Sequence, residues 1–221
     1  MDSGAQRREA LARSRLYFVC EATVRGRPAD PIVEAALEGG ADVVQLRDKD
    51  ASDEELLAAA ARFRALCDAH GALFVLNDRP DLAVRAGADG VHVGQEDARV
   101  EEARAIVGDE LLVGQSTHAP QQFEAGLRSG ADYLSVGPVW ATPTKPGRPA
   151  AGLDYVRHAA AHAGGRPWFA IGGIDAGNVG EVIAAGAERI VVVRALRDAA
   201  DPAAAARELR AALEAGVGAA Q

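Results

Sequence analysis

The sequence predicts a single (β/α)8 TIM barrel, and three observations carry that prediction. Eight short apolar runs rich in β-branched residues alternate with helical patterns along the chain. A helix–glycine–strand unit recurs: Gly40-Ala41-Asp42, Gly87-Ala88-Asp89, Gly130-Ala131-Asp132 and Gly186-Ala187-Glu188 each precede a strand-like run, at separations of 47, 43 and 56 residues. No low-complexity linker interrupts the 221 residues, so the units belong to one domain. A doubly wound open sheet is the alternative. Against it, the first strand–helix turn lacks a G-x-G-x-x-G fingerprint, and the four repeats imply rotation about one axis.

In chain order, residues 1–15 are polar and Arg-rich and read as a flexible lead-in. The barrel itself spans 16–215, and 216–221 form a tail. Strand-like runs lie at 16–20, 43–47, 73–77, 91–94, 111–116, 133–137, 168–172 and 190–193. Helical patterns fill 31–39, 53–69, 80–86, 98–107, 119–129, 153–162, 176–185 and 202–215. Ser52 before Asp53-Glu54-Glu55 is a strong helix start, a cap followed by acids in the first turn. Pro31, Pro120 and Pro202 sit at or near first helical positions. Leu56, Leu57, Ala60, Phe63 and Leu66 give the helix at 53–69 a broad apolar stripe. Each repeat glycine can take the left-handed conformation that stops a helix.

Composition excludes several function classes. The apolar fraction of 48% and charged fraction of 25% are those of a soluble globular protein. With a net charge of −8 and no basic face, nucleic acid is not expected as a partner. No apolar run approaches the ~20 residues of a membrane span. The lead-in lacks the apolar core of a signal peptide, which points to the cytoplasm. Assembly as a homo-oligomer is left open. Cys20 and Cys67 are isolated and read as buried thiols; Cys20 would face the mouth, but without an activating pair.

In a parallel barrel all strand C-termini share one rim. Polar residues recur there. Gln45 and Arg47 share one side of their strand, and an inward Arg is costly unless it meets an anion. Lys49 follows as a point charge, with an ion pair to Asp50 as the plainer reading. Asn77-Asp78 and Asp97 offer hard oxygen ligands suited to Mg²⁺; helix capping is the plainer role for both aspartates. No Cys/His cluster has zinc spacing. Gly172-Gly173 and Arg194 end the last two strands, where this architecture commonly holds phosphate. The long loop 138–152 carries Thr142, Pro143, Thr144 and Lys145, hydroxyls and an ammonium suited to phosphate or pyrophosphate. Ser116 and His118 are ambiguous, and His92, mid-strand, reads as barrel packing. Two anion centres result, with a metal beside one of them. That suits a transfer in which pyrophosphate leaves.

QLRDK at 45–49, the following Asn77-Asp78, HVGQED, GQSTH, GPVWATPTKPG and AIGGI stand in the order found in thiamine phosphate synthases, and residues 15–215 resemble that family. The resemblance implies a transferase that joins a hydroxymethylpyrimidine diphosphate to a thiazole phosphate. Gln45, Leu46, Arg47, Asp48, Lys49, Asn77, Ser116 and Lys145 would bind the first substrate. Thr142, Pro143, Thr144, Gly173, Val193 and Arg194 would bind the second, and Asp78 and Asp97 would bind Mg²⁺. Arg47, Lys49, Lys145 and Ser116 would carry catalysis. Arg194 stands where many members have Ser or Thr, and Cys20-Glu21 where Thr-Asp is frequent. A thiazole tautomerase of the same architecture and a non-catalytic phosphate-binding barrel are the alternatives.

Overall fold

The computed structural model describes residues 3–142 and 149–218. Among them the strands are β1 (Leu16–Cys20), β2 (Thr23–Val24), β3 (Arg27–Pro28), β4 (Val43–Leu46), β5 (Leu73–Asn77), β6 (Gly90–Val93), β7 (Leu112–Thr117), β8 (Tyr133–Val136), β9 (Trp168–Ile171) and β10 (Ile190–Val192). β2 and β3 form a small antiparallel hairpin that the sequence did not announce. The other eight close a parallel barrel in the order β1-β10-β9-β8-β7-β6-β5-β4, with β4 pairing back to β1. The expected barrel is therefore the observed one.

The helices are α1 (Gly4–Arg13), α2 (Asp30–Glu38), α3 (Asp53–His70), α4 (Pro80–Arg85), α5 (Val100–Val107), α6 (Pro120–Arg128), α7 (Gly152–His162), α8 (Val179–Ala184), α9 (Arg194–Arg197) and α10 (Pro202–Gly218). Ser52 caps α3 through a reciprocal pair with Glu55, as its sequence predicts. α5 and α8 begin later than expected, because the residues before them make turns. α10 runs on to Gly218, into the stretch expected to be a tail.

Alternation along the strands divides the core in two. Outward residues such as Phe18, Val44, Leu46, Phe74 and Leu134 meet the helices. Inward residues Tyr17, Val19, Val43, Leu73, Val75, Leu112, Tyr133, Phe169 and Val191 fill the barrel, and Leu11 of α1 joins them.

Leu11 marks a correction. Over Gly4–Arg13 the segment expected as a flexible lead-in is a helix, capped by Ser3 and Gln6. It crosses the N-terminal end of the barrel, where Leu11 is 2% exposed. Two more of its anchors come from the repeat, Asp89 and Asp132. Asp89 accepts from Arg7 at 3.0 Å, Arg64 at 2.6 Å and the Phe74 amide at 2.9 Å. Asp132 accepts from Arg8 at 2.8 Å, Arg104 at 2.5 Å and the Val113 amide at 2.8 Å. Asp42 accepts from the Leu16 amide at 3.0 Å and from Arg210 at 2.6 Å. Each repeat glycine is left-handed, with φ between 61° and 101°, as a helix-ending turn requires. In its three Asp copies the repeat thus stops a helix and clamps the next strand's neighbour by its amide.

Candidate active site

The open end holds a cavity of about 320 Å³. β4 sends Gln45 and Arg47 into it, β5 Asn77, β6 His92, β7 Ser116 and β8 Ser135. Opposite them stand Gly172 and Gly173 after β9, Val193 and Arg194 after β10, and Thr142 from the β8–α7 loop. The strand period explains the selection. Gln45 and Arg47 share the inward parity of Val43, whereas Leu46 is fully buried against the helices. Asp48 faces away too, and its carboxylate accepts from the Ala22 amide at 3.2 Å. Leu46 and Asp48, expected among the substrate contacts, therefore do not reach the cavity with their side chains. Pro143, Thr144 and Lys145 lie outside the described residues.

Lys49, Asp78 and Asp97 group at the β4–β5–β6 rim. Lys49 pairs with Asp78 at 3.1 Å rather than with Asp50. Neither aspartate caps a helix. Asp78 is in the left-handed region, with φ 61°, and α4 begins after Arg79. Asp97 accepts from the Gly94 amide at 3.0 Å, and α5 begins after Arg99. Burial raises the Asp78 carboxyl above the ordinary range, and the adjoining Asp97 adds to this, while Lys49 opposes it.

Across the cavity, Gly172 and Gly173 are left-handed, with φ of 106° and 69°. Their backbone is pressed against Pro138 and Trp140, so side chains are excluded there. Arg194 is exposed and opens α9.

The matching family model describes thiamine monophosphate synthase and covers residues 16–196. A thiamine-phosphate synthase of Thermus thermophilus is 60% identical over 177 residues, which are 80% of this chain and 85% of the relative. One of Acidothermus cellulolyticus is 51% identical over 207 residues, 93% of this chain and 98% of the relative. The chain belongs to the thiamine monophosphate synthase family. A solved thiamine phosphate pyrophosphorylase of Pyrococcus furiosus superposes with a TM-score of 0.85 at 34% identity, covering 96% of this chain and 99% of that one.

For a thiamine monophosphate synthase, the rim carboxylates have the chemistry of a magnesium site. Mg²⁺ takes one or two carboxylates and leaves its other positions to water and phosphate oxygens. Asp78 and Asp97 supply such a pair, with Asp97 adding to the upward shift of the Asp78 carboxyl. Among the described residues no group of three or more His, Cys, Asp or Glu side chains is placed to hold a metal.

The cavity also takes residues to which the sequence assigned no substrate contact. Glu21 and Ser135 line it, and so does His118, whose Nδ1 lies 2.6 Å from the Gly137 carbonyl. His92, expected as packing alone, lines it as well and meets Ser116 Oγ at 2.9 Å. The inward parity of 90, 92 and of 133, 135 was the available signal. Cys20 also lines the cavity, and burial pushes its thiol up to about 12, which disfavours the nucleophilic thiolate.

Proposed function

We propose that this transferase joins 4-amino-2-methyl-5-hydroxymethylpyrimidine diphosphate to thiazole phosphate, giving thiamine phosphate and pyrophosphate. The observation that supports the reading most is one cavity with polar and cationic groups on two opposing sides. Arg47 and Asn77 lie on one side, and Gly173 and Arg194 on the other. Arg47, Lys49, Asn77 and Lys145 bind the diphosphate, while Gln45 and Ser116 meet the pyrimidine. Thr142 to Thr144, Gly173, Val193 and Arg194 hold the thiazole phosphate. Asp78 and Asp97 would hold Mg²⁺, which supplies charge neutralisation to the departing pyrophosphate.

The reaction is a dissociative substitution. The bond from the pyrimidine methylene to the diphosphate oxygen breaks, and pyrophosphate keeps the electron pair. The thiazole nitrogen then donates its lone pair to the cationic methylene, forming the new carbon–nitrogen bond. Cations arranged in advance around the leaving group lower the barrier to ionisation, and no general base is needed. A non-catalytic phosphate-binding barrel has no use for a carboxylate pair facing a second anion centre. A thiazole tautomerase does not need Arg47, Lys49 and Lys145. Among the described residues no helix is long and apolar enough to cross a membrane. The deciding assay is pyrophosphate release with both substrates and Mg²⁺. Release that requires all three supports the reading; none under saturating conditions refutes it.

A further inference from the structure

A continuous line of polar side chains runs through the floor of the cavity. Gln45 Nε2 donates to Tyr17 Oη at 2.7 Å. Tyr17 Oη lies 2.9 Å from Tyr133 Oη, and Tyr133 Oη lies 3.2 Å from His92 Nδ1. His92 Nε2 lies 2.9 Å from Ser116 Oγ. The two ends, Gln45 and Ser116, line the cavity. The two tyrosines do not, since each is 1% exposed.

Buried hydroxyls are costly unless paired, and these two are held in place for pairing. Phe169 meets both rings edge-on, at 5.4 Å from Tyr17 and 5.7 Å from Tyr133. Position 114 on β7 carries no side chain, and a Cβ there would lie 2.1 Å from Tyr133 Cζ. Gly114 is thus the seat of the Tyr133 phenol.

One orientation of these bonds leaves neither buried phenol hydrogen unpaired. An amide nitrogen only donates, so the Tyr17 oxygen accepts from Gln45. Tyr17 has one hydrogen, and it goes to Tyr133. Tyr133 in turn gives its hydrogen to His92 Nδ1. His92 therefore carries its proton on Nε2 and donates to Ser116. The Ser116 hydrogen is left to point into the cavity, and Gln45 keeps its carbonyl oxygen as an acceptor there.

We infer that Tyr17 and Tyr133 are positioning residues that fix an acceptor at Gln45 and a donor at Ser116, so that the site reads a ring edge carrying an amino group beside an unprotonated ring nitrogen. This rests on the pyrimidine assignment of that side of the cavity. A 4-oxo pyrimidine presents the opposite pattern and meets acceptor with acceptor and donor with donor.

Two measurements on the full-length protein test it. The first is the ¹⁵N NMR spectrum of His92, which needs no substrate. The expected result is an Nε2-protonated, Nδ1-accepting tautomer, altered in Tyr133→Phe; an Nδ1-protonated ring in the wild type overturns the orientation. The second is steady-state kinetics with the 4-amino diphosphate and its 4-oxo counterpart. The wild type should prefer the amino form by about ten- to a hundredfold, the cost of leaving buried polar groups mismatched. Tyr133→Phe and Tyr17→Phe should each raise KM for the amino substrate severalfold, shrink the preference toward unity and leave KM for thiazole phosphate unchanged. Equal losses for both substrates, or an intact preference in folded variants, overturn the inference. A wild type that takes no pyrimidine diphosphate at all refutes the proposed function instead, and leaves the His92 measurement standing.

Discussion

Removing a carboxylate from one end of this barrel should cost stability, and removing one from the other end should not. Asp89 belongs to the closed end and is 1% exposed. It receives two guanidinium groups, from Arg7 and Arg64, and the Phe74 amide. Asp89→Ala strands all three donors and releases α1 from one of its anchors. Breaking a buried pair by removing one partner costs about 3–5 kcal/mol. In a chain of this size each kcal/mol moves Tm by about 2–4 °C, so the melting point should fall by ~6–20 °C. Asp78→Asn at the open end removes a charge that burial and Asp97 already disfavour. Its Tm without Mg²⁺ should stay level or rise at neutral pH, although activity is lost. Circular dichroism melts of both variants, with and without Mg²⁺, decide the matter. A drop under about 1 kcal/mol for Asp89→Ala would show that the repeat aspartates do not clamp the fold. A Tm loss for metal-free Asp78→Asn as large as that for Asp89→Ala would show that Asp78 is structural.

Four further outcomes are expected. Asp78→Asn and Asp97→Asn should each cut turnover strongly while the fold survives, and near wild-type rates at limiting Mg²⁺ would remove the metal assignment. Because the Asp78 carboxyl is raised in the folded state, its protonated form favours folding, and that contribution fades as pH rises through the raised value. Metal-free stability should therefore fall over that window while Mg²⁺ affinity climbs, and both trends should vanish in Asp78→Asn when followed by melts and calorimetry. Lys145→Ala should lower kcat by about 10²–10³, more than it weakens thiazole phosphate; the reverse pattern in steady-state kinetics would move Lys145 to the other anion. Arg194→Ala should weaken thiazole phosphate by about ten- to a hundredfold, with Arg194→Ser recovering part and the pyrimidine diphosphate unaffected, and titration of both ligands would expose equal losses.

Much of the molecule follows from local rules. The β-branched runs, the glycine stops and the Ser52 cap depend on neighbours within a few residues, so the order and number of barrel strands are legible in the chain. Strand parity is equally local, and it is enough to send Gln45 and Arg47 inward together. It also shows why Leu46 and Asp48, part of the same motif, point elsewhere.

Contacts distant in sequence are a different matter. Nothing in residues 4–13 announces a helix that belongs to the core. It is held by Asp89 and Asp132, which lie 82 and 124 residues from Arg7 and Arg8. The same repeat acids read as punctuation in the sequence and as ion-pair acceptors in the fold. Whether Asp78 and Asp97 cap helices or face each other likewise depends on a left-handed turn and on the pairing of β5 with β6. The line from Gln45 to Ser116 draws on five strands, and no motif in the sequence singles out its tyrosines. The chain by itself determines which residues point into the barrel. Only closure of the barrel decides which of them touch, because contact across its interior depends on register and stagger around the whole ring rather than on spacing along any one strand.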